Sequence, residues 1–351
     1  MSSRRLVTEG HGGPEVMHLR TAEIPQPGPG QIRVRLQAAA FNHLDLWVRR
    51  GIEGVNWPLP MVPCADGAGV IEAIGPRDED DGPSHGHKVG DRVVIYPCIS
   101  CRDCPACARG DSQLCRRFGL RGEAFDGCAR DHIVVDGFDA LAQPEKLSDI
   151  EAAAMPTTFI TAWHMLRARA QLQPGEAVLV HGGRSGVGSA AIQIARVLGA
   201  RVMATVRRQE DEVLAREIGA DEVIFSTDPD WPKRVRAWNP GGVDVVFEHI
   251  GAATWDGSIR TLQRGGRLVT CGATTGHEVT VNLRKLFFHG LSLLGSTMGT
   301  RAELAEVLEL AGQGRIRPII GAVRPLADGA AALELLAERG VFGKVVLNLT
   351  D

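Results

Sequence analysis

Tyrosine is almost missing from this chain: Tyr96 is the only one in 351 residues, and aromatic residues make up 5%. It stands just ahead of a cysteine-rich stretch, which argues against a tyrosine general acid. No apolar run reaches the ~18 residues that a membrane span needs. The opening Met1-Ser2-Ser3-Arg4-Arg5-Leu6 has no apolar core behind its arginines, so it does not read as a secretory signal. There is no basic excess either; the net charge of −3 provides no global field for nucleic acid. Internal repeats and low-complexity segments are also missing. These absences predict a cytoplasmic protein with neither nucleic acid nor membrane as a partner.

Glycine is what the chain has in plenty: 42 residues of 351, about one in eight against a usual ~7%. Many fall at the ends of apolar runs, as in an α/β protein with many turns. The length suggests two domains at roughly 150 residues each. Up to about residue 155 the chain reads as short strands and turns. Ile32–Leu36 alternates apolar and polar residues like a half-buried strand, and 70–74 and 92–95 resemble it. Asp78-Glu79-Asp80-Asp81-Gly82-Pro83 reads as a solvated acidic hairpin tip.

Near residue 157 the pattern changes. Ala177-Val178-Leu179-Val180-His181 is apolar enough for a buried parallel strand. Val187, Ala191, Ile194 and Leu198 then recur at helical spacing, and Gly199 closes that helix. Further strands are predicted at 201–206, 222–225, 243–247 and 267–270, separated by helices. Such alternation implies α/β architecture with a parallel, doubly wound sheet. From about 300 onward come two more amphipathic helices and the strand 344–347, a tail that reads as returning to the first lobe.

The sharpest signal is Cys101-x2-Cys104-x2-Cys107-x7-Cys115. Four thiolates at short spacing match a closed tetrahedral zinc site, structural because no coordination position stays open. An iron–sulfur cluster and reduced free thiols are the alternatives. Cys98, three residues upstream, is taken as a spare thiol.

The second signal is Gly182-Gly183-Arg184-Ser185-Gly186-Val187-Gly188, between a strand and a helix. Gly183 and Gly188 occupy the outer positions of G-x-G-x-x-G, and Ser185 replaces the middle glycine. In that context the amides at the helix start suit a pyrophosphate; the alternative is a tight structural turn. An acidic residue for the adenosine ribose is expected about 20 residues on. Here Thr205-Val206 is followed by Arg207-Arg208, whose guanidinium groups suit a 2′-phosphate. The expected cofactor is therefore NADP(H) rather than NAD(H), with one structural zinc per chain. A solvated arginine pair is the plainer reading of the same residues.

Taken together, these features resemble the medium-chain dehydrogenase/reductase family, which includes zinc alcohol dehydrogenases and quinone oxidoreductases. The resemblance spans nearly the whole chain: Gly12–Val16, Gly67–Val70, Gly90–Val93, the cysteine loop, Thr161–Trp163, the glycine loop and Gly343-Lys344-Val345-Val346-Leu347 fall in the family's order. It implies a β-rich GroES-like catalytic lobe built from residues 1–157 and 300–351. A Rossmann domain occupies 158–299, and Lys344 joins Gly183–Gly188, Thr205, Arg207 and Arg208 in the cofactor set. It also implies a homodimer or homotetramer, for which Leu291-Ser292-Leu293-Leu294 is a plausible pairing edge.

The family's alcohol dehydrogenases carry a second, catalytic zinc, whose ligand positions fall here at Asn42, Ala65 and near Thr157. Alanine cannot bind a metal. The strings Asn42-x-x-Asp45 and Asp66-Gly67-Ala68-Gly69 look instead like the zinc-free quinone oxidoreductase branch, which usually lacks the cysteine lobe kept here. A shifted zinc site at His43, Cys64 and Asp66 is the competing arrangement. The resemblance puts Asn42, His43, Asp45, Trp47 and Thr161 at the pocket. Asn42 is a hydrogen-bond donor to substrate or ribose, and His43 a proton source. Asp45 is either an acid near the ribose or a helix cap. Trp47 is a flat wall, and Thr161 a contact on the nicotinamide side. The expected activity is NADPH-dependent hydride transfer to a conjugated carbonyl, an enone or quinone, without catalytic zinc. A zinc-containing alcohol dehydrogenase and a non-enzymatic NADP(H) sensor are the alternatives.

Overall fold

A computed structural model describes residues 2–76, 86–338 and 340–350. The acidic stretch 78–83 lies outside the described residues. The chain forms two compact units, 1–157 with 300–351, and 158–299.

In the first unit, β1 (Gln31–Ala40) is central. Ile32, Val34 and Leu36 are buried while the intervening arginines are not, as their alternation demands. β2 (Asp66–Ile74) pairs with it antiparallel on one side and the strand Lys344–Asn348 on the other. The tail strand thus completes this sheet, and Ile320–Pro325, not foreseen in the sequence, pairs parallel to it at the edge. Register fixes the place of Lys344. Val346 and Asp66 both lie opposite Ala40, so Lys344, two residues earlier on an antiparallel strand, comes level with position 42.

Helix α1 (His43–Arg50) begins two residues beyond β1, with Asn42 as its N-cap residue. Asp45 accepts the Asn42 N–H at 2.7 Å, closing a capping box. The cap is therefore shared between the two, and the helix starts at His43 rather than at Asp45.

The second unit holds a six-stranded parallel sheet: β3 (Ala177–Val180), β4 (Arg201–Val206), β5 (Glu222–Phe225), β6 (Val243–Glu248), β7 (Leu262–Thr270) and β8 (Ser292–Gly295). Its order is β5-β4-β3-β6-β7-β8, so the winding reverses between β3 and β6. All four residues of β3 are fully buried, as a strand covered on both faces requires. The 291–294 run supplies β8, an edge of this sheet. Helix α2 (Gly186–Val197) follows β3, and α3 (Glu210–Glu217) follows β4. Among the described residues no helix is long and apolar enough to cross a membrane.

Candidate active site and metal centre

The four cysteines converge. The Sγ–Sγ separations are 3.4 Å for Cys101–Cys115, 3.6 Å for Cys104–Cys107 and 3.9 Å for Cys101–Cys107. Four sulfurs about 2.3 Å from one zinc would stand roughly 3.8 Å apart, so the cluster already has the size of a ZnS4 tetrahedron. Cys115 Sγ accepts the Cys101 and Arg117 amides at 3.4 and 3.3 Å. Backbone hydrogen bonds hold the Cys104 thiol down to about 6 and lower Cys115 as well, while the hydrogen bond with Asp103 pushes Cys101 up to about 11. Cys98 is buried outside this set, and burial pushes its thiol and the Tyr96 hydroxyl upward. Tyr96 is thus poorly suited to give up a proton.

Ahead of α1 lies a second cluster, built on one carboxylate. Asp66 is fully buried. Its Oδ1 accepts from the Thr157 N–H (2.9 Å) and Oγ1–H (2.5 Å). Its Oδ2 accepts from Asn42 Nδ2 (2.9 Å) and Lys344 Nζ (3.0 Å). Lys344 also donates to Asn42 Oδ1 at 2.6 Å. Lysine only donates and a carboxylate only accepts, so this fixes the Asn42 amide orientation. One Nδ2–H of Asn42 is left over.

Asp45 sits alongside with both oxygens engaged, Oδ2 by the Asn42 amide and Oδ1 by the Cys64 amide at 2.8 Å. Burial pushes its carboxyl up to about 6, against the pull of those amides and of Lys344. Asp45 therefore ties the α1 start to the Cys64 corner. His43 and Trp47 are half-buried and meet edge to face, ring centroids 5.1 Å apart.

Asn42 and Thr157, two of the positions implied for a catalytic zinc, thus clasp Asp66 together with Lys344. Ala65, the third, offers no donor atom. An ammonium already neutralises the carboxylate, and a dication added beside it would meet like charge. These residues do not fit a catalytic zinc. Nor does a shifted site form: among the described residues only the four-cysteine cluster gathers three or more metal-ligating side chains, so His43, Cys64 and Asp66 do not make one.

In the second unit the glycine loop turns from β3 into α2. Gly183 N–H donates to the Thr205 carbonyl at 2.9 Å. Ser185, in place of a middle glycine, is the N-cap of α2: its Oγ accepts the Gly188 N–H at 2.9 Å. A Cβ on Gly188 would lie 2.2 Å from the Gly182 carbonyl oxygen, so only glycine closes this turn. Gly186 and Val187 form the first turn of α2, where helix amides lack intrahelical acceptors. The arrangement suits a dinucleotide pyrophosphate.

The other cofactor candidates separate. Thr205 is buried beneath the loop, its Oγ1 accepting the Gly182 N–H at 3.0 Å, so it is a strut. Arg184 pairs with the buried Asp211 of α3. Arg207 and Arg208 are exposed just beyond β4, Arg208 lying 3.2 Å from Glu210. Lys344 is buried with its ammonium engaged by Asn42 and Asp66. Thr161 is buried, its Oγ1 lying 3.7 Å from Met298 Sδ.

The Asp66–Lys344 pair is what sequence reasoning missed. Its trace is that each is a charged residue at the first position of a strand with buried apolar residues, where a buried charge needs a partner.

The fold and the two centres define a dinucleotide-dependent oxidoreductase. The Alcohol dehydrogenase GroES-like domain is matched over 28–145 and the Zinc-binding dehydrogenase domain over 186–313. The NAD-dependent alcohol dehydrogenase of Sulfolobus acidocaldarius is 30% identical, the match covering 96% of this chain and 97% of that protein. The quinone oxidoreductase of Sus scrofa is also 30% identical, with 96% and 95% covered. A crystal structure of an NAD-dependent alcohol dehydrogenase superposes with a TM-score of 0.93 at 42% identity, covering 99% of each chain. The chain belongs to the zinc-type medium-chain dehydrogenase/reductase family.

Proposed function

We propose that this oxidoreductase uses NADPH to reduce conjugated carbonyls, enones or quinones, without a catalytic zinc. The observation that carries the reading is the Asn42–Asp66–Lys344–Thr157 cluster, which fills the implied metal position with a neutralised polar network. Simple alcohols need a strong electrophile at oxygen, the work of a Lewis acid. In an enone or quinone, charge spreads to an oxygen that hydrogen-bond donors can stabilise. Bound NADPH would supply the hydride.

The chain's own contribution begins at Asn42. Its amide is locked by Lys344 and Asp66, and the remaining Nδ2–H is the donor for the carbonyl oxygen of the substrate. Preorganisation at that atom lowers the cost of building charge there. His43, the next residue, carries an ionisable ring for the proton that completes reduction. Trp47 packs against it and supplies a flat surface suited to a ring. Arg207 and Arg208 favour a 2′-phosphate.

The name of the Sus scrofa relative agrees with this reading, while the Sulfolobus relative favours a second one, NAD-dependent alcohol oxidation. Following NADPH and NADH absorbance against enones, quinones, aldehydes and alcohols separates them. Turnover confined to alcohols and aldehydes refutes the first. No turnover despite tight dinucleotide binding favours a sensor. We further propose a cytoplasmic homodimer or homotetramer. The exposed Phe287 and Phe288 on the helix leading to β8 support pairing, and sedimentation as a monomer would refute it.

A further inference from the structure

His249 follows β6 directly, at the reversal of winding between β3 and β6. In open parallel sheets that crevice, beyond the strands' carboxyl ends, is where ligands bind. The glycine loop leaves β3 on the other side of the same crevice. His249 Nε2 donates to the His181 carbonyl at 2.8 Å. A Cβ on Gly182 would stand 2.9 Å from His249 Cε1, so the ring packs directly against the loop.

The corner that carries this ring is rigid. Glu248 accepts the Ile250 and Gly251 amides at 2.5 and 3.1 Å, the Thr254 hydroxyl at 2.7 Å and the Ser258 hydroxyl at 3.1 Å. Because Nε2 holds the hydrogen donated to the carbonyl, Nδ1 of the neutral ring is an acceptor. It has no partner among the described residues. The residue as a whole is buried, with 8% of its surface exposed. The ring is kept neutral by burial, which holds its pKa below the ordinary value.

Dinucleotide geometry says what arrives there. The pyrophosphate sits at the α2 start, and the adenosine ribose lies toward the end of β4. The other half must then extend toward β6, and its first group beyond the pyrophosphate is the nicotinamide-side ribose. We propose that His249 is a cofactor-contacting residue whose Nδ1 accepts a hydrogen bond from a hydroxyl of that ribose. The inference rests on dinucleotide binding at the glycine loop, and it is independent of the substrate class.

Calorimetric titration of the full-length, zinc-loaded protein tests it. The ligands are NADPH, ADP-ribose 2′-phosphate and 2′,5′-ADP, with NADH, ADP-ribose and ADP as the unphosphorylated set. His249→Gln keeps a donor for the His181 carbonyl but places no acceptor at the Nδ1 position. His249→Asn places an oxygen near the Nδ1 position. His249→Gln should weaken NADPH and ADP-ribose 2′-phosphate by the same factor, roughly three- to tenfold. It should leave 2′,5′-ADP, which lacks the second ribose, and the melting temperature unchanged. His249→Asn should recover part of the loss. Unchanged binding of all ligands overturns the inference. So does an equal loss for all three, the mark of a disturbed loop, or a loss for NADPH alone, which would assign the contact to the carboxamide. Wild-type protein that binds no dinucleotide overturns the underlying cofactor reading as well.

Discussion

Replacing Lys344 by methionine removes one ammonium and leaves a chain of comparable length in its place. The ammonium lies 3.0 Å from Asp66 Oδ2 and 2.6 Å from Asn42 Oδ1, and the Asp66 side chain has no solvent exposure. Losing one partner of a buried ion pair costs about 3–5 kcal/mol. Asp66 keeps its hydrogen bonds from Asn42 and from the amide and hydroxyl of Thr157, which brings this case to the bottom of that range or just below it, about 2–3 kcal/mol. In a unit of roughly 200 residues that lowers the melting temperature by about 5–10 °C. Lys344→Met with Asp66→Asn removes both charges and should recover part of the loss, a coupling of about 1–3 kcal/mol. Melting curves of wild type, both single variants and the double variant measure the cycle. Turnover should fall in Lys344→Met more than NADPH affinity does, because the Asn42 amide loses its anchor. Single variants melting within about 2 °C of wild type, with additive effects, would refute the reasoning.

Metal analysis of purified protein should give about one zinc per chain, and Cys104→Ser should lose it together with thermal stability; about two per chain would refute the reading of positions 42, 65 and 157. Changing Arg207 and Arg208 together to alanine should weaken NADPH about tenfold or more while sparing NADH, measured by fluorescence titration; equal losses count against a 2′-phosphate site. Burial holds His181 down to about 4, against the pull of Glu248. Between its ordinary ~6.5 and that value, the unfolded chain takes up a proton that the folded one refuses. Stability fully present above pH ~6.5 is therefore lost as pH falls toward ~4, by up to about 3 kcal/mol. Urea midpoints across that window should drop less steeply in His181→Asn, and parallel slopes would remove His181 as the cause.

Local signals carried most of the fold. The run Ala177–Val180, the turn through Gly188 and the cysteine spacing each lie within a few residues, where steric and ligand-spacing rules act directly. The four-cysteine cluster and the glycine turn were legible for that reason. Asp66 and Lys344 were not, because 278 positions separate them and only the register of two strands flanking β1 brings them together. Thr205 misled for a related reason. It stands where the sequence expects cofactor contacts, yet its hydroxyl is consumed by the Gly182 amide. Ser185 in the glycine motif is a cap whose hydroxyl the helix needs.

The 302 positions that separate Lys344 from Asn42 are also an interval of time. At ribosomal rates of 5–20 residues per second, the strand that begins at Lys344 is made roughly 15–60 s after β1. Meanwhile residues 158–299 emerge in full and can fold as a unit, while Asp66 has no counter-ion and β1 has an open edge. The first lobe is thus the last to finish, and an exposed strand edge is a site for wrong pairing. A nascent chain stalled before Lys344 should engage chaperones through its amino-terminal half, and its nucleotide-binding unit should already be protected from protease.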